Sequence, residues 1–575
     1  MAVRSQIRST LHRARALVEA AAFRERVDPA PRRFARLLRV AIGLDALSEL
    51  RVSATPAVAR LALRHGLGVR TVHALHALEA PTRAALVDGE RVRSYAELDA
   101  EINRLAHALH DELGVRRGTA VALCAENCGE YLVAWFALMR LGARAVHASY
   151  RSKSAELEYL ARHSGARVLL VSDASLDAAA ELSRAHPELS LTLVAVGPRR
   201  REAGATAYED LLARARSSAM PARERRAIES ESVVYTSGTT GKPKGAVRDF
   251  GRFGVMEGAR VLERLPFCVA DRHLIVTPLY HSGAQAFAMI HAALGATIHL
   301  HPHFEPERAL EALSRERIHS VFMVPTMIRR VLELPAEQRA RLRTPELRGL
   351  VSGAAEFPEA LRRAAIGQFG APAVHDFYGA TELGWVTLID GTEMLARPGS
   401  VGRALGGQQI AILDADGRAV PTGGTGLIYV RNEQTMDGYL GDAEASAKGR
   451  RGAWITVEDL GRLDDDGYLW VSGRERDMVI SGGVNLYPVE IEEVVAHHPA
   501  VREVAVIGVP DAEWGERLVA VVVPRGGFDP AEVERFARRQ LASVKVPKQW
   551  EVIDELPRNN TGKVLKRELR ARFAG

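Results

Sequence analysis

Residues Tyr235–Ala246 read YTSGTTGKPKGA: three glycines, four Ser/Thr hydroxyls and two lysines in twelve residues. Small residues let backbone N–H groups approach a polyphosphate, hydroxyls donate to its oxygens, and an ammonium balances its charge. Thr236, Ser237, Gly238, Thr239, Thr240, Gly241 and Lys244 are therefore candidates for contact with phosphate groups. The stretch is not a Walker A loop, because Pro243 follows Gly241–Lys242 and Thr236 stands where that loop needs glycine. A plain surface turn would need neither the hydroxyls nor the lysines.

Lysine usage points to the same place. Of 77 basic residues only eight are lysines, and six of those fall in 242–244 and 545–566. A chain that otherwise uses arginine keeps lysine where a compact ammonium fits better than a planar fork. The second cluster ends in Lys563 and Lys566, so the C-terminus becomes the second place to look for chemistry.

The elements that must position these residues follow from periodicity. Ser232–Val234 reads as a strand leading into the glycine-rich stretch. From about residue 81 the pattern alternates between strand and helix. Ser94 and Glu97 form a capping box ahead of Leu98, Ile102, Leu105 and Leu109, and Ala120–Cys124, Val168–Val171 and Leu191–Val196 read as strands. Such alternation predicts layered α/β architecture. After Gly473 the chain starts afresh, with strands at Val504–Val509 and Leu518–Val523 and a helix opened by Asp529, Pro530 and Glu532 as N-cap, N1 and N3.

Composition bounds the rest. At 575 residues the chain exceeds a single core, and 47% hydrophobic with 26% charged residues is ordinary for a globular enzyme. Apolar runs are too short to span a membrane. Three cysteines cannot build a disulfide framework, which favours a reducing, cytoplasmic location. The first forty residues carry ten arginines against three acids, and the remainder is near neutral, so no broad basic body exists for nucleic acid. Residues 1–80 read as a basic helical extension. Two readings of it stay open: packing on the body, or peripheral contact of residues 1–40 with the inner face of a membrane.

Further stretches appear in a fixed order: PLYHSG at 278–283, SGAA at 352–355, YGATELG at 378–384, GRLDDDGY at 461–468, GRERD at 473–477, GGVNLYP at 482–488 and PRNNTGKVLKREL at 557–569. Together with the phosphate-loop stretch they resemble the adenylate-forming enzymes, namely acyl-CoA synthetases, peptide-synthetase adenylation domains and firefly-type luciferases. The resemblance covers roughly residues 81–575 and is nearest to bacterial fatty-acid–CoA ligases. It implies a large multi-layer α/β AMP-binding domain over 81–475 and a small mobile α+β lid over 476–575. It also implies ATP, Mg²⁺ and coenzyme A as co-reactants of a carboxylic acid.

The resemblance assigns roles residue by residue. Glu382 matches the magnesium-binding glutamate, a hard oxygen ligand, and Thr381 a donor to the α-phosphate. Asp376, Phe377 and Tyr378 match the adenine-binding strand, with Asp376 an acceptor for the exocyclic amine. Gly353, Ala354 and Ala355 match the other adenine wall. Asp459 matches the ribose-binding aspartate, with Arg474 assisting, and Lys563 the catalytic lysine of adenylation. Lys545, Lys548 and Lys566 read as structural or solvent-facing. Arg476 stands at the hinge, where Lys or Asp is more usual, Gly483 in the pantetheine tunnel, and His281 beside the acyl pocket.

One departure bears on the nucleotide site: the family's Thr-Gly-Asp is here Val457-Glu458-Asp459, which loses a glycine and adds a carboxylate. Two other signals are weak. His299, His301 and His303 alternate as if on one face of a strand, but without an acidic or Cys partner they read as exposed or edge histidines rather than metal ligands. Cys124 and Cys128, one turn apart if helical, lack a second pair.

The implied function is activation of a medium- or long-chain fatty acid through acyl-AMP to its CoA thioester. The alternatives are a steroid, bile-acid or aromatic carboxylate, or transfer to a carrier protein in place of CoA. A catalytically idle binding or scaffold protein is disfavoured by the retained Lys563, Glu382 and phosphate loop.

Overall fold

The computed structural model describes residues 72–199, 201–218, 231–236, 243–249, 261–432, 434–481, 484–511, 513–558 and 564–573. The chain divides into two compact units that interleave along the sequence. The first holds the described residues up to Phe322 with Leu334–Leu350 and 434–448, and the second holds Met323–Glu333, Val351–Asn432 and the residues from Gly449 onward.

The first unit carries two largely parallel sheets. In one, Ala120–Cys124 lies between Arg144–His147 and Val168–Val171, all parallel, and Glu231–Thr236 joins beside Arg144–His147. The strands are short and buried on both faces, so they are apolar throughout rather than alternating. Helices cover those faces. Gly129–Leu141 is buried at nearly every position and ends at Gly142, whose φ of 68° closes the helix in the left-handed region. Tyr95–Asp111 begins with the capping box foreseen at Ser94 and Glu97, each side chain bonding the other's backbone N–H. In the other sheet Ala84–Asp88, Thr297–Leu300, Arg272–Ile275 and Ser320–Phe322 run parallel.

The second unit is built on antiparallel pairing. Val374–Ala380 pairs with Gly384–Asp390, and Asp459–Leu463 with Tyr468–Arg474. Their apolar faces share a core of Leu383, Val386, Ile428, Val430 and Leu469. Residues 479–573 form a small C-terminal body with cores on both faces of the long hairpin Val501–Asp511 and Gly515–Pro524. Asp529 caps the helix Pro530–Arg538 by accepting from Ala531 N–H, the start read from its sequence.

Several details differ from the sequence reading. The helix Val72–Glu79 belongs to the first unit: His73 packs on the Phe136 ring at 4.0 Å, and His76 Nε2 lies 3.2 Å from the Ala293 carbonyl. The body therefore begins no later than Val72 and not at 81. The rest of the basic extension, with its proposed membrane contact, lies outside the described residues. Cys124 ends a strand and Cys128 is the N-cap of the next helix, so the two are not a helical pair. The histidine series also reads differently. Strand Thr297–Leu300 sits between two neighbours, His299 is buried, and acidic partners come from elsewhere, Glu316 for His299 and Glu305 for His303. Among the described residues no cluster of His, Cys, Asp or Glu could hold a metal, and no helix is long and apolar enough to cross a membrane.

Candidate active site

In the first unit the glycine-rich stretch joins two antiparallel strands, Glu231–Thr236 and Lys244–Asp249, with Thr236 opposite Lys244. Residues 237–242, which include Ser237, Gly238, Thr239, Thr240 and Gly241, lie outside the described residues. Both stems are held by one helix, Ser154–Ser164: His163 Nδ1 lies 2.9 Å from the Tyr235 hydroxyl, and the Tyr159 hydroxyl donates to the Pro243 carbonyl at 3.0 Å. Lys244 Nζ sits 3.6 Å from the Asp442 carboxylate and 5.3 Å above the Tyr439 ring. A Cβ at Gly245 would stand 2.8 Å from Val233, so side chains are excluded where the strands close.

His281 of PLYHSG is the N-cap of helix Ser282–Ala293, and its ring tilts on Tyr280 at 4.2 Å. Tyr280 in turn meets Tyr150 edge-on at 6.0 Å. Gly283 faces Phe322, whose ring stands 2.8 Å from where a Cβ would be.

The second unit gathers another set. The Tyr378 hydroxyl donates to Asp459 Oδ2 at 2.8 Å, and Arg474 Nε lies 3.1 Å from Oδ1. Both oxygens of one carboxylate are thus oriented by neighbours, which fixes its remaining lone pairs. Burial and the adjacent Asp459 push the Tyr378 phenol well up, so it stays a donor. Thr381 and Glu382 occupy the turn after Val374–Ala380. That turn is tight, because a Cβ at Gly379 would come 2.3 Å from the Gly384 carbonyl, and Gly384 has φ 75°.

Two assigned residues are engaged in ways the sequence did not show. Asp376 is buried and its Oδ2 accepts from Arg362 Nη2 at 2.9 Å. Burial pushes its carboxyl up to about 6 against the pull of Arg362. Arg362 thus takes one carboxylate oxygen, while Oδ1 has no hydrogen-bond partner among the described residues and keeps its acceptor capacity. At Gly353 a Cβ would lie 2.4 Å from Phe377, so the space this glycine leaves is filled by that ring, which also stacks on Trp385 at 4.9 Å. Ala354 holds a left-handed φ of 65° and is exposed, with Ala355 half-buried beside it. Arg362, Tyr159, Tyr439 and Asp442 had no periodic or motif signal of their own.

Glu458 answers the question left by the missing glycine. Its φ is 64°, so the turn keeps the left-handed geometry despite the side chain. The N–H donates to Thr456 Oγ1 at 3.1 Å and the carbonyl accepts from Glu475 N–H at 2.9 Å, fixing the turn from both sides. Glu458→Gly should remove a left-handed cost of about 1–2 kcal/mol and lose part of it to chain entropy. The expected net gain is roughly 0.5–1 kcal/mol, seen as a melting temperature raised by about 1–4 °C. A lower melting temperature would mean that contacts of the Glu458 side chain outweigh its strain.

Arg476 lies in the short 3-10 turn Glu475–Asp477, exposed. Lys566 is paired with Glu492 at 2.7 Å, Lys545 with Glu490 at 2.6 Å, and Lys548 rests over the Trp514 ring at 5.3 Å. Lys563 and Gly483 lie outside the described residues.

This fold and these motifs define an adenylate-forming enzyme, and comparison with known proteins agrees. The AMP-binding enzyme family model matches residues 74–440 and the AMP-binding enzyme C-terminal domain model residues 490–563. The chain belongs to the AMP-binding enzyme family, an ATP-dependent family of acid–thiol ligases. It is 35% identical to an indoleacetate–CoA ligase of Aromatoleum aromaticum over 86% of this chain and 96% of the relative. It is 30% identical to the long-chain-fatty-acid–CoA ligase FadD13 of Mycobacterium tuberculosis over 84% and 93%. Among solved structures, ATP-bound MatB from Rhodopseudomonas palustris superposes with a TM-score of 0.78 at 29% identity, over 88% of this chain and 99% of that one.

Proposed function

We propose that the chain joins a hydrophobic carboxylic acid to ATP, releasing pyrophosphate, and then passes the acyl group from AMP to the thiol of coenzyme A. A carboxylate oxygen attacks the α-phosphorus while the bond to pyrophosphate breaks. The CoA thiolate next attacks the acyl carbonyl and AMP departs. Asp459, oriented by Tyr378 and Arg474, accepts from the ribose hydroxyls, and this trio is the observation that carries the reading. Thr236, Ser237, Gly238, Thr239, Thr240, Gly241 and Lys244 take the phosphates, Thr381 the α-phosphate, and Lys563 the charge that develops between carboxylate and phosphorus. Glu382 fits Mg²⁺ in the way that ion is commonly held, by one carboxylate plus substrate phosphates; the metal would polarise those phosphates for attack.

An aromatic or arylalkanoic acid is the favoured substrate. The indoleacetate–CoA ligase likeness supports it, and so does the ring group Tyr150, Tyr280 and His281 beside the PLYHSG turn. The medium- or long-chain fatty acid reading stands second on the likeness to FadD13. An ATP–pyrophosphate exchange panel of both acid classes, followed by mass detection of CoA thioesters, tests each. Exchange with acids of neither class would remove the function.

Gly483 carries a separate expectation. Gly483→Leu should leave pyrophosphate exchange within about twofold of wild type and suppress CoA thioester formation by about 10²-fold, the scale on which misplaced reactants lose rate. An unchanged thioester rate would show that the thiol does not pass this residue.

A further inference from the structure

Asn127 is 2% exposed and stands three residues beyond strand Ala120–Cys124. Its Nδ2 donates to the Thr277 carbonyl and to the His301 carbonyl, both at 3.0 Å, and its Oδ1 accepts from Leu279 N–H at 2.8 Å. One buried amide thus makes three of the four hydrogen bonds open to it. The three backbones it ties follow the carboxyl ends of two parallel strands, Arg272–Ile275 and Thr297–Leu300, while Asn127 itself follows a third in the other sheet. In parallel α/β sheets that end is where ligands bind.

A second amide completes the arrangement. Gln285 is fully buried in the first turn of Ser282–Ala293, and its Nε2 donates to the Leu279 carbonyl at 2.9 Å. Both polar groups of the Leu279 backbone are therefore held by side-chain amides. The next two residues are Tyr280 and His281, whose rings meet each other, with Tyr280 also meeting Tyr150. Asn127 thus ties the loop after one sheet to the loops after two strands of the other, and Gln285 braces the same backbone beside the turn bonds His281 N–H to Pro278 and Gln285 N–H to His281, so both amides help place these rings.

We propose that Asn127 is a positioning residue that sets which carboxylic acid the enzyme accepts, by fixing the Leu279 backbone and with it Tyr280 and His281. The proposal rests on the acid-activating function above and adds to it the determinant of acid choice. Asn127 touches no reacting atom in this role. It acts through the loop.

The test measures acid-dependent pyrophosphate exchange over a panel of aryl and alkyl acids in the full chain. The variants are Asn127→Ala, Asn127→Asp, which keeps the shape but loses both N–H donors, and Gln285→Met, which removes only the second tie. Each should lower kcat/KM for the best acid by about 10–100-fold, mainly through KM, and reorder the panel, with the ATP KM within about twofold of wild type. A merely structural role gives a different pattern: kcat falls with the fraction of folded enzyme, while both KM values and the order of acids stay fixed. That pattern in the variants that fold overturns the proposal. If wild type exchanges with no acid, the function falls and this inference with it. If wild type exchanges and the variants keep its acid KM and order, only the inference falls.

Discussion

Lys563→Ala should reduce acyl-adenylate formation by about 10²–10³-fold or more while leaving thioester formation from supplied acyl-AMP within a few-fold of wild type. Attack on the α-phosphorus gathers negative charge on phosphate and carboxylate oxygens, and the resemblance puts one ammonium there. Two other lysines of the C-terminal body are already paired. Lys566, three residues on, is committed to Glu492 at 2.7 Å, and Lys545 to Glu490. Lys566→Ala should accordingly leave adenylation within about tenfold and act mainly on stability, since a half-buried pair is lost. Rapid-quench assays of the two half-reactions separate these outcomes. An equal fall in both half-reactions would mean that Lys563 serves both steps, against the two-conformation chemistry the family implies.

A fall of pH from 8 to 5 should remove a large part of the stability of the first unit. Five of its histidines are buried and neutral: His73, His76, His147, His273 and His291. Burial lowers all five from the ordinary 6.5, His76 and His291 to about 4 and His147 to about 3. His273 and His291 stack at 3.8 Å with the Ser320 hydroxyl 2.8 Å from a nitrogen of each, so a proton on one ring would repel a proton on the other. Because the folded state resists protonation, the unfolded chain binds protons first as pH falls below 6.5. The stability is whole above that value and is lost progressively toward 4. At pH 5 each of His76, His147 and His291 costs roughly 2 kcal/mol, together a large part of a typical domain's 5–15 kcal/mol. Burial also raises Glu79 and Asp88, which offsets part of the loss. Urea unfolding followed through Trp135, whose ring lies 5.4 Å from His147, should show the midpoint collapsing between pH 6.5 and 5. A midpoint that holds constant over that range would mean these rings carry their protons in the fold.

What could be read from the sequence was whatever is local. The Ser94 capping box, the Asp529 cap and the strand leading into the phosphate loop depend on residues a few places apart, and spacing reveals them; the second strand, Lys244–Asp249, and its pairing carried no such signal. The trio Tyr378, Asp459 and Arg474 was legible only because ordered motifs stand in for the long-range contact; periodicity alone does not bring residue 378 to 459. Asp376 shows the limit of that substitution. Its motif marked an acceptor, but not that Arg362, fourteen residues earlier and outside any motif, holds one of its two oxygens and leaves the other without a hydrogen-bond partner among the described residues. Glu458 shows another: the motif marked a lost glycine, but only the backbone reveals that the glycine's conformation was kept. The interleaving of the two units has no sequence signal, since it is made by pairings hundreds of residues apart.

One of those pairings affects the protein while it is being made. The strand Lys244–Asp249 has its outer edge covered by Gly438–Tyr439, about 190 residues later in the chain. At about 5–20 residues per second, a ribosome needs roughly 10–40 s to deliver that cover, and until then the edge is open to any other nascent strand. Lys244 and Arg248 are on that strand, and charge on an open edge is a known deterrent to wrong pairing. Charge on that edge persists through the interval, and slower translation would lengthen it.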